Sequence, residues 1–294
     1  MQKITPFLWF DHQAEEAMNF YTSLFDHSKV ESISRYADGP MQGKVLTGVF
    51  RLDGQQFMAL DGGPEYKFTP STSFFVNCET EEEVDELWGK LSPGGSVLMP
   101  LQAYPFSEKF GWIADKYGVS WQLNLAGRKQ KITPFLMFVA EQHGNAEEAM
   151  KLYTSLFENS SIKQIERYAA GEPGEEGMVK HAVFTLDSQE FMAMESNLEH
   201  QFTFSEAISF YVNCDTQEEV NMLWDVLTDG GEEMPCGWLK DRYGVTWQII
   251  PSALPELLND PDPEKAQRVM QAMLQMKKID VEGLRNAAVG EMSR

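Results

Sequence analysis

The sequence predicts an α+β protein built from four βαβββ modules in two tandem copies, with a helical segment at its C-terminal end. Three observations support this fold class. Long segments recur in the same order, strand-like and helix-like patterns alternate within each copy, and the final segment has no earlier counterpart. We expect one domain at residues 1–125, a linker at 126–130, a second domain at 131–250 and a helical extension at 251–294.

The recurring segments are too long for a solenoid repeat and indicate a duplicated domain. KITPFLWF at Lys3 returns as KITPFLMF at Lys131, and DKYGVSWQL at Asp115 returns as DRYGVTWQI at Asp241. One segment is not shared, because the first copy contains LQAYPFSEKF where the second has only Cys236. Differences in length of this kind belong in surface loops.

Strand and helix patterns alternate twice within each copy. In the first module, Ala14, Met18 and Tyr21 recur at helical spacing. Asp53-Gly54 marks a hairpin turn, because both central positions can take positive φ. Three segments favour strands after the second helix, the last being Val119–Leu125. The earlier strand segments of the first copy are Lys3–Phe10, Val30–Tyr36, Val45–Leu52, Gln55–Leu60 and Thr72–Cys78.

The other helices of the two copies carry start signals. Thr80-x-x-Glu83 and Thr216-x-x-Glu219 are capping boxes, in which a hydroxyl and a carboxylate accept from free N–H groups of the first turn. Asn145 is expected to begin the first helix of the second copy.

The C-terminal segment is predicted to contain a helix that begins at Asp262-Pro263. Methionine adapts to irregular contacts, so the apolar stripe of this helix is interpreted as a packing face rather than a cofactor site. The same stripe leaves open a homo-oligomer held together through this helix. The residues of this apolar stripe are Ala266, Val269, Met270, Met273 and Leu274.

Composition and charge exclude several classes of protein. The net charge is −21, and so acidic a surface repels phosphate backbones and anionic lipids, so neither nucleic acid nor a membrane is expected as a partner. No apolar run reaches the roughly 20 residues of a membrane span, and the N-terminus lacks the pattern of a signal peptide. The three cysteines form no CxxC pair, which argues against disulfides and thiolate zinc sites. We therefore predict a cytoplasmic protein.

The motifs together resemble one family. ITPFLWF, AEEAMNFYTSLF, DGQQFMALDGG, GWIADKYGVSWQL, CGWLKDRYGVTWQI and MLQMKKIDVEGL are similar to the PhnB-like group of the vicinal oxygen chelate superfamily. This superfamily includes glyoxalase I, bleomycin-resistance proteins and extradiol dioxygenases. The resemblance implies that pairs of modules form open-barrel clefts for a small molecule, and it leaves open whether modules pair within a copy or between copies. Members carry a 3-demethylubiquinone-9 3-methyltransferase label, but no glycine-rich strand–turn–helix for S-adenosylmethionine is present.

Metal-using members of the superfamily place His or Glu on the first and fourth strands of each module. The resemblance puts Gln122 and Gln248 where a carboxylate ligand would stand, and Met58 and Met192 at the other fourth strands. Amides and thioethers are poor ligands for a divalent ion, so neither a metal nor another cofactor is predicted. The first-strand positions are Pro6, Pro134, Ser71 or Ser73, and Ala207 or Ser209.

His181 is the candidate catalytic residue. It stands where the first copy has Thr47, and it shares a strand face with Val183. It is either an acid–base or ligand-binding group in a cleft or a half-buried structural histidine. Asp115 and Asp241 each precede a glycine turn, which we expect them to brace.

The predicted function is metal-independent binding of a small apolar or aromatic molecule in the clefts. The alternative is a lyase, isomerase or oxygenase that works through His181. A methyltransferase is not expected. The predicted ligand-binding residues are Leu8, Phe10, Thr47, Met58, Gln122, Met192 and Gln248.

Overall fold

The protein is represented by a computed structural model that describes residues 2–37, 39–127 and 130–290. Residues 128 and 129 of the predicted linker lie outside the described residues. The chain divides into two compact units. We call Pro6–Ile208 the large unit, and Met1–Thr5 with Ser209–Arg294 the small unit.

The first copy contains two βαβββ modules, as the sequence predicts. The segments Val45–Leu52 and Thr72–Cys78 form strands with the predicted limits. The elements are β1 (Ile4–Phe10), α1 (Ala14–Thr22), β2 (Lys29–Arg35), β3 (Val45–Leu52), β4 (Gln55–Asp61), β5 (Thr72–Cys78), α2 (Glu81–Leu91), β6 (Ser96–Tyr104), β7 (Ser107–Ala114) and β8 (Ser120–Leu125).

The second copy repeats this order and is followed by three helices, which confirms the α+β fold class. Its elements are β9 (Ile132–Phe138), α3 (Ala146–Leu156), β10 (Ser161–Arg167), β11 (Val179–Leu186), β12 (Gln189–Glu195), β13 (Ile208–Cys214), α4 (Gln217–Leu227), β14 (Glu232–Glu233), β15 (Trp238–Lys240) and β16 (Thr246–Pro251). The C-terminal helices are α5 (Ala253–Leu258), α6 (Pro263–Met273) and α7 (Val281–Val289). None of the helices in the described ranges is long and apolar enough to cross a bilayer.

One sheet of the large unit joins modules from different copies. Its strand order is β10-β11-β12-β9-β5-β8-β7-β6. The central contact is the antiparallel pair β5 and β9, in which Ser73 lies opposite Phe135. The second module of copy one therefore shares a sheet with the first module of copy two. The large unit also holds the order β1-β4-β3-β2, and the small unit holds β14-β15-β16-β13.

Helices α1 and α2 pack on strands of the large unit around a continuous apolar core, which we call the main core. Strands β5 and β8 contribute only alternate residues to it, as strand geometry requires, and β9 contributes Ile132. Burying each large side chain contributes about 1.5–3 kcal/mol. Members include Leu8, Phe10, Ala17, Met18, Phe74, Val76, Val84, Leu87, Trp121, Leu123 and Ile132.

A buried aspartate holds the turn in the repeated segment that contains Asp-x-Tyr-Gly. Asp115 Oδ1 accepts from the backbone N–H groups of Tyr117 (2.8 Å) and Val119 (3.0 Å). Its Oδ2 accepts from Trp121 Nε1 (2.9 Å) and from the Tyr21 hydroxyl (2.7 Å). The predicted brace is therefore confirmed. The second copy repeats the first three bonds with Asp241, Tyr243, Val245 and Trp247.

Thr80 and Thr216 cap their helices as predicted. Glu83 and Glu219 accept from the N–H of the residue before each cap, not from the first turn.

Asn145 does not cap its helix with its side chain. The N-terminus of α3 is instead held by Glu195, which accepts from the N–H groups of Ala146 (2.9 Å) and Val179 (2.7 Å). Asp61 has the same role for α1 in the first copy. Each of these carboxylates is buried at the end of a strand, far from the helix in sequence.

Candidate functional site

The face of the large sheet opposite the main core carries a second apolar cluster. Its buried members are Phe135 and Met137 of β9, Val183 of β11 and Met192 of β12, together with Val139. None of them is more than 5% exposed. We call this group the Phe135 cluster. Partly buried residues packed against it are Phe75, Trp112, Met194 and Phe202.

Gln122 lies between two aromatic residues that border the Phe135 cluster. In the sheet register it stands opposite Phe75 on one side and Trp112 on the other. Its amide donates to Ser73 Oγ at 2.8 Å, and the side chain is buried. The position that resembles a carboxylate ligand therefore holds a neutral amide bonded to a neutral hydroxyl.

His181 lies at the other side of the Phe135 cluster. Its ring centroid is 6.2 Å from that of Phe135, with the two planes tilted by 40°. Four strand spacings separate His181 on β11 from Gln122 on β8, which is roughly 19 Å along the sheet. The two polar groups therefore stand at opposite margins of one apolar surface.

The remaining predicted ligand-binding residues lie elsewhere. Leu8 and Phe10 belong to the main core, because the face of β1 that carries them packs against the helices. The structure therefore does not bring them together with Gln122. Met58 lies opposite Phe7 and Val49 in the register of β4 with its neighbours.

Thr47 lies on β3, opposite Ser34 of β2. In the small unit, the amide of Gln248 donates to Ser209 Oγ at 2.9 Å. This bond repeats the bond from Gln122 to Ser73.

A loop between β12 and β13 lies against the Phe135 cluster through Phe202. The Phe202 ring packs on His200, with centroids 4.9 Å apart. His200 Nε2 is 2.8 Å from Ser196 Oγ, and burial lowers the pKa of His200. Phe202 therefore closes one side of the cluster.

The residues on this face do not fit a divalent metal of the kind held by metal-using members of the superfamily that the motifs resemble. The side chains at the matching positions are the hydroxyl of Ser73, the amide of Gln122 and the thioether of Met192, none of which is a strong ligand for a hard or borderline cation. No cluster of three or more His, Cys, Asp or Glu side chains occurs in the part of the chain that the structure describes.

The cysteines offer no activated thiolate. Burial raises the pKa of both Cys78 and Cys214 to about 12. A thiol with such a pKa stays protonated at neutral pH and is a poor nucleophile.

A polar cavity of about 280 Å³ lies elsewhere on the large unit. Several of its charged side chains already have partners within the protein. Arg35 pairs with Glu15 at 2.9 Å, and Asp61 accepts from the N–H groups of Ala14 and Val45. The lining is therefore poorly matched to an apolar ligand.

The fold is similar to that of two solved structures. Glyoxalase I from Zea mays is 11% identical, with a TM-score of 0.52 over 83% of this chain and 92% of that chain. A protein of Bacillus subtilis described as a candidate dioxygenase is 10% identical, with a TM-score of 0.50 over 98% and 95% of the two chains. At these identities the likeness concerns the fold alone.

The family follows from sequence. The model of the 3-demethylubiquinone-9 3-methyltransferase family matches residues 2–124 and again 130–250, so the chain belongs to this family. The PhnB protein of Bacillus cereus is 58% identical over 42% of this chain and 100% of that chain, with a TM-score of 0.41. No curated protein matches the chain. The resemblance noted from the motifs is thus confirmed.

Sequence reasoning did not single out several residues of this face. Phe75, Trp112, Phe135 and Phe202 were not among the candidates. All seven residues of β9 are buried, so the sequence did not indicate that Phe135 lies on the face opposite Ile132. Nothing in the sequence indicated that Phe202 would pack here.

Proposed function

We propose that the protein binds a small apolar or aromatic molecule on the Phe135 cluster, without a metal ion. The observation that carries the proposal is the pairing of buried Gln122 with Ser73 at 2.8 Å, beside the apolar Phe135 cluster. Binding pockets for small molecules combine an apolar lining with few polar groups in this way.

The aromatic rings of the face favour a flat ligand. Phe75 and Phe135 are stacked, with centroids 6.1 Å apart and planes at 20°, and Phe110 packs on Phe75 at 6.1 Å. An aromatic ligand could replace one of these ring contacts with its own. The carbonyl oxygen of the Gln122 amide could accept a hydrogen bond from a hydroxyl or amine on the ligand.

Access requires a side chain to move, because the cluster is closed in this conformation. Phe202 is the residue best placed to do so, since a loop carries it rather than a strand. Loops are the usual carriers of such motion. We infer that Phe202 swings away when the ligand binds.

The proposal is tested by titrating the full chain with a panel of small aromatic phenols and amines, followed by calorimetry and by intrinsic tryptophan fluorescence. At least one compound should bind, and Gln122→Leu should weaken that binding about tenfold through loss of a hydrogen bond. The matched control is Gln248→Leu, which should leave binding unchanged. The proposal is overturned if no compound binds, or if both substitutions weaken binding equally.

A second candidate is an enzyme of the lyase, isomerase or oxygenase kind that uses His181. The observation that favours it is the position of His181 beside Phe135, at the margin of the same surface. If a reaction is found for a bound compound, His181→Gln should abolish turnover and leave affinity within about twofold. Stoichiometric metal in protein purified without chelator, lost on His181→Ala, would instead show a metal enzyme and refute metal-independent binding.

A further inference from the structure

The second copy lacks most of a hairpin, and another segment lies in its place. In the first copy β6 and β7 are nine and eight residues long, whereas β14 and β15 have two and three. Beside the short hairpin, the N–H groups of Cys236 and Gly237 donate to the carbonyl oxygens of Met276 (2.8 Å) and Lys277 (2.7 Å). The segment between α6 and α7 thus pairs with the chain that leads into β15.

The first copy anchors its hairpin through charge. Lys109 of β7 donates to Asp85 at 2.8 Å and to Glu81 at 3.3 Å, both on α2. These contacts fix the hairpin against the start of that helix. The second copy has no residue equivalent to Lys109, because the deletion removed it.

The second copy has neutral side chains where the first has these acids. Counting from Thr80 and Thr216, which cap the two helices, Gln217 replaces Glu81 and Asn221 replaces Asp85. Gln217 Nε2 donates to the carbonyl oxygen of Ile279 (3.0 Å), and its Oε1 accepts from the N–H of Val281 (2.8 Å). Glu81 pairs with a lysine in the first copy, whereas Gln217, at the same position in the second copy, binds the backbone of the C-terminal segment.

The C-terminal segment also covers the strands that carry Gln248. Ile250 of β16 is buried in one cluster with Ile279 and with residues of α5–α7, and Tyr211 of β13 packs against that cluster. Tyr211 lies opposite Gln248 in the register, as Phe75 lies opposite Gln122. Burial raises the pKa of Tyr211. The neighbour of Gln248 is therefore covered by the C-terminal segment, whereas the neighbour of Gln122 packs on the Phe135 cluster.

We propose that the segment 274–281 is an intramolecular closure, which substitutes for the missing hairpin and blocks the sheet face beside Gln248. The chain then binds one ligand, in the large unit, and release of the segment exposes a second apolar surface. The ligand count rests on the proposed function, but the closure does not.

The closure is tested in the full chain by amide hydrogen exchange. The N–H groups of Cys236 and Gly237 report on it directly, because their acceptors belong to the C-terminal segment. Gln217→Ala removes both side-chain bonds to that segment and should speed exchange at the two amides roughly tenfold. The matched control is Glu81→Ala in the first copy, which should leave both amides unchanged. Unchanged exchange in Gln217→Ala, or equal acceleration in the control, would overturn the closure.

A second measurement uses the apolar dye anilinonaphthalene sulfonate as the probe. Ile279→Asp places a charge in the buried cluster and should release the segment without altering a strand. It should add one equivalent of bound dye while far-ultraviolet circular dichroism stays within a few per cent of the parent. Dye binding equal to that of the parent contradicts the closure, and if the variant unfolds, the exchange result for Gln217→Ala decides. Failure of every aromatic compound to bind the parent chain would refute the proposed function only.

Discussion

At the scale of single residues, the neutrality of Gln122 is the property that sets the chemistry of the Phe135 cluster. Gln122→Glu would place a carboxyl group in a buried, aromatic environment that raises its pKa. Its folded-state pKa would then lie above the unfolded value of about 4.3, so the penalty is small at low pH and grows as pH rises. We expect a loss of about 1–3 kcal/mol at pH 8 and less at pH 5.5, measured by urea unfolding. Gln122→Leu is the control, and its effect should not depend on pH.

His200 gives a second pH dependence, opposite in sign. Burial lowers its pKa from 6.5, so the packed loop favours the neutral ring. The stability that this provides is present above pH 6.5 and is lost as pH falls through the folded-state pKa. Acidification from pH 7.5 to 5.5 should therefore loosen the loop, measured by hydrogen exchange at Leu198, whose N–H donates to Ser196 Oγ. His200→Gln should remove this dependence, and its persistence would contradict the assignment.

The faces of buried strands were the part of the site that the sequence could not settle. Strand β1 reads Ile-Thr-Pro-Phe-Leu-Trp-Phe, which is almost wholly apolar on both sides. Alternation separates Leu8 and Phe10 from Phe7 and Trp9, but it does not say which pair meets the helices. The structure places Leu8 and Phe10 in the main core. The position of Gln122 was predicted instead from the motif resemblance, which does not depend on the hydrophobic pattern of the strand.

At the scale of secondary-structure elements, the helices of the two modules in each copy are capped by different means. Asp61 is buried and accepts from two backbone N–H groups, those of Ala14 and Val45. Asp61→Ala leaves both donors unpaired and should cost about 2–4 kcal/mol in the free energy of unfolding. Thr80→Ala removes one exposed cap and should cost about 1 kcal/mol. Urea unfolding measures both.

The control for this comparison is Asn145→Ala. Asn145 precedes a helix but makes no capping bond with its side chain, so the change should stay within about 0.5 kcal/mol. A loss as large as that of Asp61→Ala would contradict the assignment of the cap. The sequence located the start of α3 correctly but not its cap, because Glu195 lies 49 residues further along the chain.

At the scale of the whole molecule, the duplication was evident from sequence but the pairing of modules was not. Hydrophobic pattern specifies that β5 and β9 are buried strands, and nothing local says that they are neighbours. Their register runs from Thr72 opposite Leu136 to Val76 opposite Ile132. It is determined by tertiary contacts and not by the local sequence. The docking of the C-terminal segment is likewise set by distant contacts, such as those of Gln217 with Ile279 and Val281.

The pairing of β5 with β9 predicts how the two copies behave when they are separated. A chain of residues 1–125 would expose the edge of β5 and the ring of Phe75, and such an edge pairs readily with other strands. We expect this half to dimerise or aggregate, and co-expression with residues 131–294 should yield a one-to-one complex, both measured by light scattering after size exclusion. The full chain cut within 126–130 is the control and should stay assembled, since its strands are already paired. A stable monomer of residues 1–125 would mean that each copy closes its own sheet, which the contact between Ser73 and Phe135 does not allow.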